Sequence, residues 1–131
     1  MKIAISTSTA DLDSLVDPRF GQSANFVIVD SETEIWNAYP NPDLYASGGA
    51  GVHSAQFIAR HGAQVAISDD FGPNAVNALA AAGIQMFYVP SGAPFTAGEL
   101  LVRYRRGQLK QVTALNRTGY QSPRGRGWTG Y

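Results

Sequence analysis

Cysteine is missing from all 131 residues. Its absence excludes disulfides, thiolate metal ligands and thiol catalysis. Charge is sparse too: 15% of residues are Asp, Glu, Lys or Arg, and the formal net charge is zero. Together with 44% hydrophobic residues, that balance fits a soluble globular chain and not a disordered one. No segment approaches the roughly 18 to 20 apolar residues of a membrane span. The apolar run in MKIAISTS is too short for a secretory signal and resembles a first buried strand. The length predicts one domain with a real core. The expectation is a cytoplasmic protein with no membrane contact.

Glycine, by contrast, is placed where it is informative. GGAG (Gly48, Gly49, Ala50, Gly51) and FGPNA (from Phe71, with Gly72 and Asn74) each follow an extended segment and open a small-residue helical stretch. The helices read AGVHSAQFIARHG and PNAVNALAAAG. Glycine at such a turn lets a ligand approach the backbone, and a helix start offers unpaired N–H groups and a partial positive charge. Two such starts in one short chain predict an anion-binding ledge.

Around them the pattern is regular. Lys2–Ser6 reads as a buried strand, Asn25–Asp30 as a second, and Glu34–Tyr39 as its hairpin partner. In the first helix Val52, Ala55, Ile58 and Ala59 share one face and His53, Gln56 and Arg60 another. Gln64–Ser68 and Ile84–Val89 read as strands flanking a helix from Pro73 to Gly83. Thr96 and Glu99 form a capping box for a third helix, with Phe95 set to staple onto Leu100 and Gly107 as the stop. Gln108–Leu115 reads as a short edge strand, and residues 116–131 as a flexible Gly-, Arg- and aromatic-rich tail beyond a domain at 1–115. The order is a strand, a hairpin, then α-β-α-β-α. It predicts an α/β fold in three α/β/α layers, ribonuclease-H-like, with a mixed five-stranded sheet carrying one antiparallel strand. The loop after the first strand and both glycine turns then share one end of the sheet, where ligands of open α/β sheets bind.

Catalytic sets are also lacking. A two-metal nuclease needs clustered carboxylates, yet KIAIS has none and the first helix offers only Gln56. Asp69 and Asp70 are the one acidic pair at a strand end, and a solvated turn accounts for them. His53 and His61 lie eight residues apart, about 12 Å along one helix, too far to share an ion. No nucleophile, base and orienting group can be assembled, so no enzyme is expected. What remains is binding: Arg19 in DPRFG supplies a fixed charge beside the ledge or pairs with Asp17, His53 in the first turn can donate to an anion, and Ser6, Thr7, Ser8 and Thr9 serve either a ligand or their own loop. Phe20 anchors the Arg19 loop in the core.

The zero net charge is uneven. Residues 1–99 hold ten acids and three bases, while residues 100–131 hold seven bases and no acid. Either the basic end lies against the acidic body, or it is an arm for a polyanion or an acidic protein partner. Two RG steps in the tail are too few to indicate nucleic acid.

Four segments in order, MKIAIST, LDSLVDPRFG, GGAGVHSAQFIARHGAQVAIS and FGPNAVNALAAAGI, resemble the nitrogenase iron–molybdenum-cofactor accessory family, which includes the orange molybdenum–copper-cluster protein. The resemblance spans about residues 1–115. It implies non-enzymatic binding or carriage of an anionic metal–sulfur cluster, molybdenum-containing, or of its precursor, on a ribonuclease-H-like domain. Gln22 stands where relatives often carry Arg, and Asp70 where glycine is common. Arg19, Gly48, Gly49, Ala50, Gly51, His53, Gly72, Asn74 and Ser8 are the expected cluster-binding residues, with no residue ligating metal directly. The alternative is a protein-interaction module without a cluster, acting through its basic C-terminal helix and tail.

Overall fold

Alternating side chains of the first strand, β1 (Lys2–Thr7), divide the interior in two: Ile3 and Ile5 enter one core and Ala4 the other. A computed structural model of the chain describes residues 1–42, 49–91 and 94–113. The expected tail at 116–131, and the end of the predicted Gln108–Leu115 strand, lie outside those residues.

The remaining elements are β2 (Asn25–Asp30), β3 (Trp36–Pro40), α1 (Ala50–Arg60), β4 (Ala63–Ser68), α2 (Gly72–Ala81), β5 (Gln85–Tyr88) and α3 (Ala97–Arg105). The sheet order is β3-β2-β1-β4-β5. One core packs α1 and α2 against Ala4, Phe26, Ile28 and Ala66. The other packs Ala97, Leu100 and Leu101 of α3 against Ile3, Ile5, Val65 and Ile67. The helices therefore cover both faces of a mixed sheet, which follows from right-handed crossovers between parallel strands.

In the sheet one strand, β2, runs against the other four. Two of the four ladders are antiparallel, β1–β2 and β2–β3, while β1–β4 and β4–β5 are parallel. The chain reverses through the long loop before β2 and again through the tight turn after it, so β2 opposes both its neighbours. In that turn the Asp30 carboxylate accepts from the Glu32 and Thr33 amides at 2.8 and 3.1 Å. These bonds hold its pKa below the usual value.

A correction concerns the predicted last strand. Among its described residues only Gln111 bridges to Phe87, with the Tyr88 amide donating to Lys110 O and the Val112 amide to Met86 O, both at 2.8 Å. The α3 capping box forms as expected: Thr96 Oγ1 accepts from the Glu99 amide, and Glu99 Oε1 from the Thr96 amide. At the other end of α3, Arg105 reaches the acidic body, pairing with Glu34 at 2.9 Å and donating to the Ser31 carbonyl. Arg103 lies over the Phe95 ring, 4.8 Å from its centroid. No helix among the described residues is long and apolar enough to cross a membrane.

Candidate functional site

The carboxyl ends of β1 and β4 carry small buried hydroxyls, and these hold the Asp17–Phe20 loop. Ser6 Oγ and Ser68 Oγ lie 2.7 Å apart; Ser6 Oγ donates to Asp17 O and Ser68 Oγ to Pro18 O. Backbone bonds extend the stitching: the Asp70 amide donates to Pro18 O at 2.6 Å and the Phe20 amide to Asp70 O at 3.0 Å. Phe20, 1% exposed, packs 5.4 Å from Phe26 and 5.5 Å from Phe71 by ring centroids. The loop is thus pinned across the strand ends by both its backbone and its one aromatic side chain.

The loop then turns onto the two helix starts. A Cβ on Gly21 would lie 2.9 Å from the Gly51 backbone, and a Cβ on Gly51 would lie 3.0 Å from Ala75 Cβ. Loop, α1 and α2 therefore meet at backbone contact. Gly49, which caps α1, and Gly72, which opens α2, have φ of +72° and +59°, values that side-chain-bearing residues avoid. Asn41 Nδ2 donates to Gly21 O at 3.2 Å and Ser23 O at 2.9 Å, fixing the loop from the far side.

The product is an open groove of about 370 Å³ lined by Arg19–Gln22, Gly49–Gly51 and Asp70–Ala75. In the first turns, the amides of Ala50, Gly51 and Val52 in α1, and of Gly72 and Asn74 in α2, have no acceptor within their helix; Pro73 carries no N–H. Among the described residues, the groove's only charged lining residues are Arg19 and Asp70. Arg19 satisfies both sequence expectations at once: it lines the groove, and its Nε lies 3.6 Å from Asp17 Oδ1 while Nη1 donates to Gln22 Oε1 at 3.4 Å.

Of the expected site residues, the structure brings Arg19, Gly49, Ala50, Gly51, Gly72 and Asn74 to this groove. Gly48 lies outside the described residues. Ser8 is displaced from it: its Oγ donates to Leu15 O at 3.2 Å, closing its own loop. Its neighbours do likewise, Thr7 Oγ1 bonding Thr9 O and Thr9 Oγ1 bonding Ser14 Oγ. His53 does not line the groove; its ring sits beside the α1 start, where a Cβ on Gly49 would lie 3.7 Å from Cε1. Gly21 and Gln22 also line the groove and Asn41 holds its loop, although sequence pattern alone does not mark these three as site residues. The signal for Gly21 lay in its position directly after buried Phe20; Asn41 gave none, because an Asn-Pro step reads as a turn whatever its side chain holds.

No group of three or more His, Asp or Glu residues converges as a metal site among the described residues. The donors at the groove are backbone amides and a guanidinium, which suit a ligand with an anionic shell rather than a bare cation.

The comparisons agree with this frame. The apo form of the orange protein (ORP) from Desulfovibrio gigas is 38% identical, with 85% of this chain and 92% of that one covered at a TM-score of 0.80. A candidate NifB protein from Thermotoga is 27% identical, covering 90% and 98% of the two chains at 0.76. A candidate dinitrogenase from Methanocaldococcus jannaschii, 15% identical with 86% and 95% covered and a TM-score of 0.60, shares the fold. No curated protein matches the sequence. Residues 1–107 match the family described as dinitrogenase iron-molybdenum cofactor, and the chain belongs to that family.

Proposed function

We propose that this protein is a cytoplasmic, non-enzymatic carrier of an anionic metal–sulfur cluster or its precursor, molybdenum-containing, held in the Arg19 groove of a ribonuclease-H-like domain that spans residues 1–115. The observation that carries the reading is the convergence of two helix starts and one arginine on a single groove, in a chain with no cysteine. Its volume of about 370 Å³ falls within the range of small-ligand sites. Amides aimed from helix starts and a guanidinium recognise the sulfur shell of a cluster as an anion, through charge-assisted hydrogen bonds. Holding without covalent metal–protein bonds is reversible, as carriage to an acceptor requires. The family and the likeness to the orange protein support a metal cluster as the cargo.

The interaction-module alternative receives less support. Arg105, one of the bases of the C-terminal part, is committed to Glu34 and Ser31 of its own body, and that contact favours the reading in which the basic end lies against the acidic part. An acidic partner remains compatible with the bases outside this contact.

Native purification followed by metal analysis tests the proposal. Molybdenum should copurify near one cluster equivalent per chain. Substoichiometric Mo, Fe and Cu, together with a visible spectrum unchanged by added tetrathiomolybdate, would overturn it.

A further inference from the structure

Asp69 and Asp70 are adjacent in sequence but line different cavities. Asp70 lines the groove with Arg19, whereas Asp69 lines a separate cavity with Val16, Pro18 and Phe95. Both are solvent-exposed. Arg19 is already shared with Asp17, while Asp70 makes no ion pair among the described residues and its backbone carries its only bonds. Among the described lining residues, the groove thus holds one acid without a side-chain ion pair.

We infer that Asp70 is a specificity-determining residue of this groove: it discriminates among anionic occupants by charge, disfavouring a dianion relative to a monoanion of the same shape. The inference rests on the anion-carrier reading above and adds to it the charge selectivity of the cargo. The physical basis is Coulomb's law. The repulsion between a fixed carboxylate and a bound anion scales with the anion's charge, so a dianion in the same pose is penalised about twice as much in free energy, or by the square in affinity. Helix starts carry only partial charges, and surface water screens the whole site, so one full negative charge at its edge is a substantial share of the field. The occupant it favours is a cluster whose sulfide charge is largely offset by bound metal ions, rather than a free, highly charged thiometallate.

Tetrathiomolybdate, a dianion, and tetrathioperrhenate, a tetrahedral monoanion of similar size, separate charge from shape. Each is titrated into the full chain, into Asp70→Asn and into Asp69→Asn under anaerobic conditions, at two salt concentrations, with thermal melts confirming that each variant is folded. Asp70→Asn should tighten the monoanion by about two- to fivefold and the dianion by about the square of that factor, with both effects shrinking in high salt. Asp69→Asn makes the same change in net charge outside the groove and should leave both affinities close to wild type. Equal effects of the two variants, or equal tightening of both anions by Asp70→Asn, would show that Asp70 confers no charge discrimination even if the groove binds anions. Failure of the wild-type chain and of Asp70→Asn to bind either anion would overturn the carrier reading, and this inference with it.

Discussion

Individual residues at the groove have roles that a one-dimensional pattern assigns only in part. Gly51 is the clearest case. From sequence its missing side chain reads as room for a ligand, so that alanine there would spare stability and harm binding. In the structure a Cβ at Gly51 would crowd Ala75 Cβ at 3.0 Å, so the glycine serves the approach of α1 to α2. Gly51→Ala should therefore destabilise, by about 1 kcal/mol once the gain in helix propensity is set against overpacking. Gly21→Ala, whose Cβ would meet backbone that cannot rotate away, should cost more, about 2–3 kcal/mol. Thermal melts of the two variants check the order; a Gly51→Ala protein as stable as wild type would restore the ligand-approach reading. Arg19 lies on the other side of this division. Its side chain is 59% exposed and its pairing with Asp17 is loose, so Arg19→Ala should leave stability within about 0.5 kcal/mol. Affinity for a thiometallate should fall by about 1.5 kcal/mol, the low end for a hydrogen bond to a charged group. Unchanged affinity by titration would make Arg19 a loop residue only.

Secondary-structure elements were legible wherever local chemistry alone determines them. The Thr96–Glu99 box, Pro73 at a helix start and the NFVIVD strand all appear where the residues put them. Legibility failed where a partner distant in sequence decides. Ser6, open from sequence to either a ligand or its own loop, spends its hydroxyl on Asp17 and Ser68, and Ser8, expected at the site, closes a loop onto Leu15; neither partner is visible in a local window. The described part of the predicted Gln108–Leu115 strand, residues 108–113, has strand-like composition but forms only an isolated bridge beside β5, because edge pairing depends on the short neighbour it finds. The β2–β3 turn gives an element-scale prediction. Amides of Glu32 and Thr33 lower the Asp30 pKa in the folded chain. A depressed carboxylate favours the folded state above its ordinary pKa, and that contribution is lost as pH falls through the lowered value. Asp30→Asn should thus reduce stability at neutral pH and flatten its decline below about pH 4, as followed by melts across that range. An unaltered acid profile would remove Asp30 from the account.

For the whole molecule, the layered α/β arrangement and the end of the sheet that carries the site followed from element order and the handedness of crossovers. The groove itself was legible as three separate motifs; their closure at backbone contact was not, since Gly21 against Gly51 and Gly51 against Ala75 are tertiary facts. The charge split between the two parts of the chain finds a structural use in the Arg105–Glu34 contact; truncation after Leu115 removes only Arg117, Arg124 and Arg126 and should leave anion binding unchanged while weakening any capture of an acidic partner. The central claim is that one anionic cargo meets both helix starts and the Arg19 loop together. Amide chemical shifts of isotope-labelled full-length protein, followed during anaerobic titration with tetrathiomolybdate, test it most directly. The account predicts saturable shifts concentrated at Arg19–Gln22, Ala50–Val52 and Gly72–Asn74, excluding the prolyl position. Shifts confined to the basic end of α3, or none at all, would contradict it.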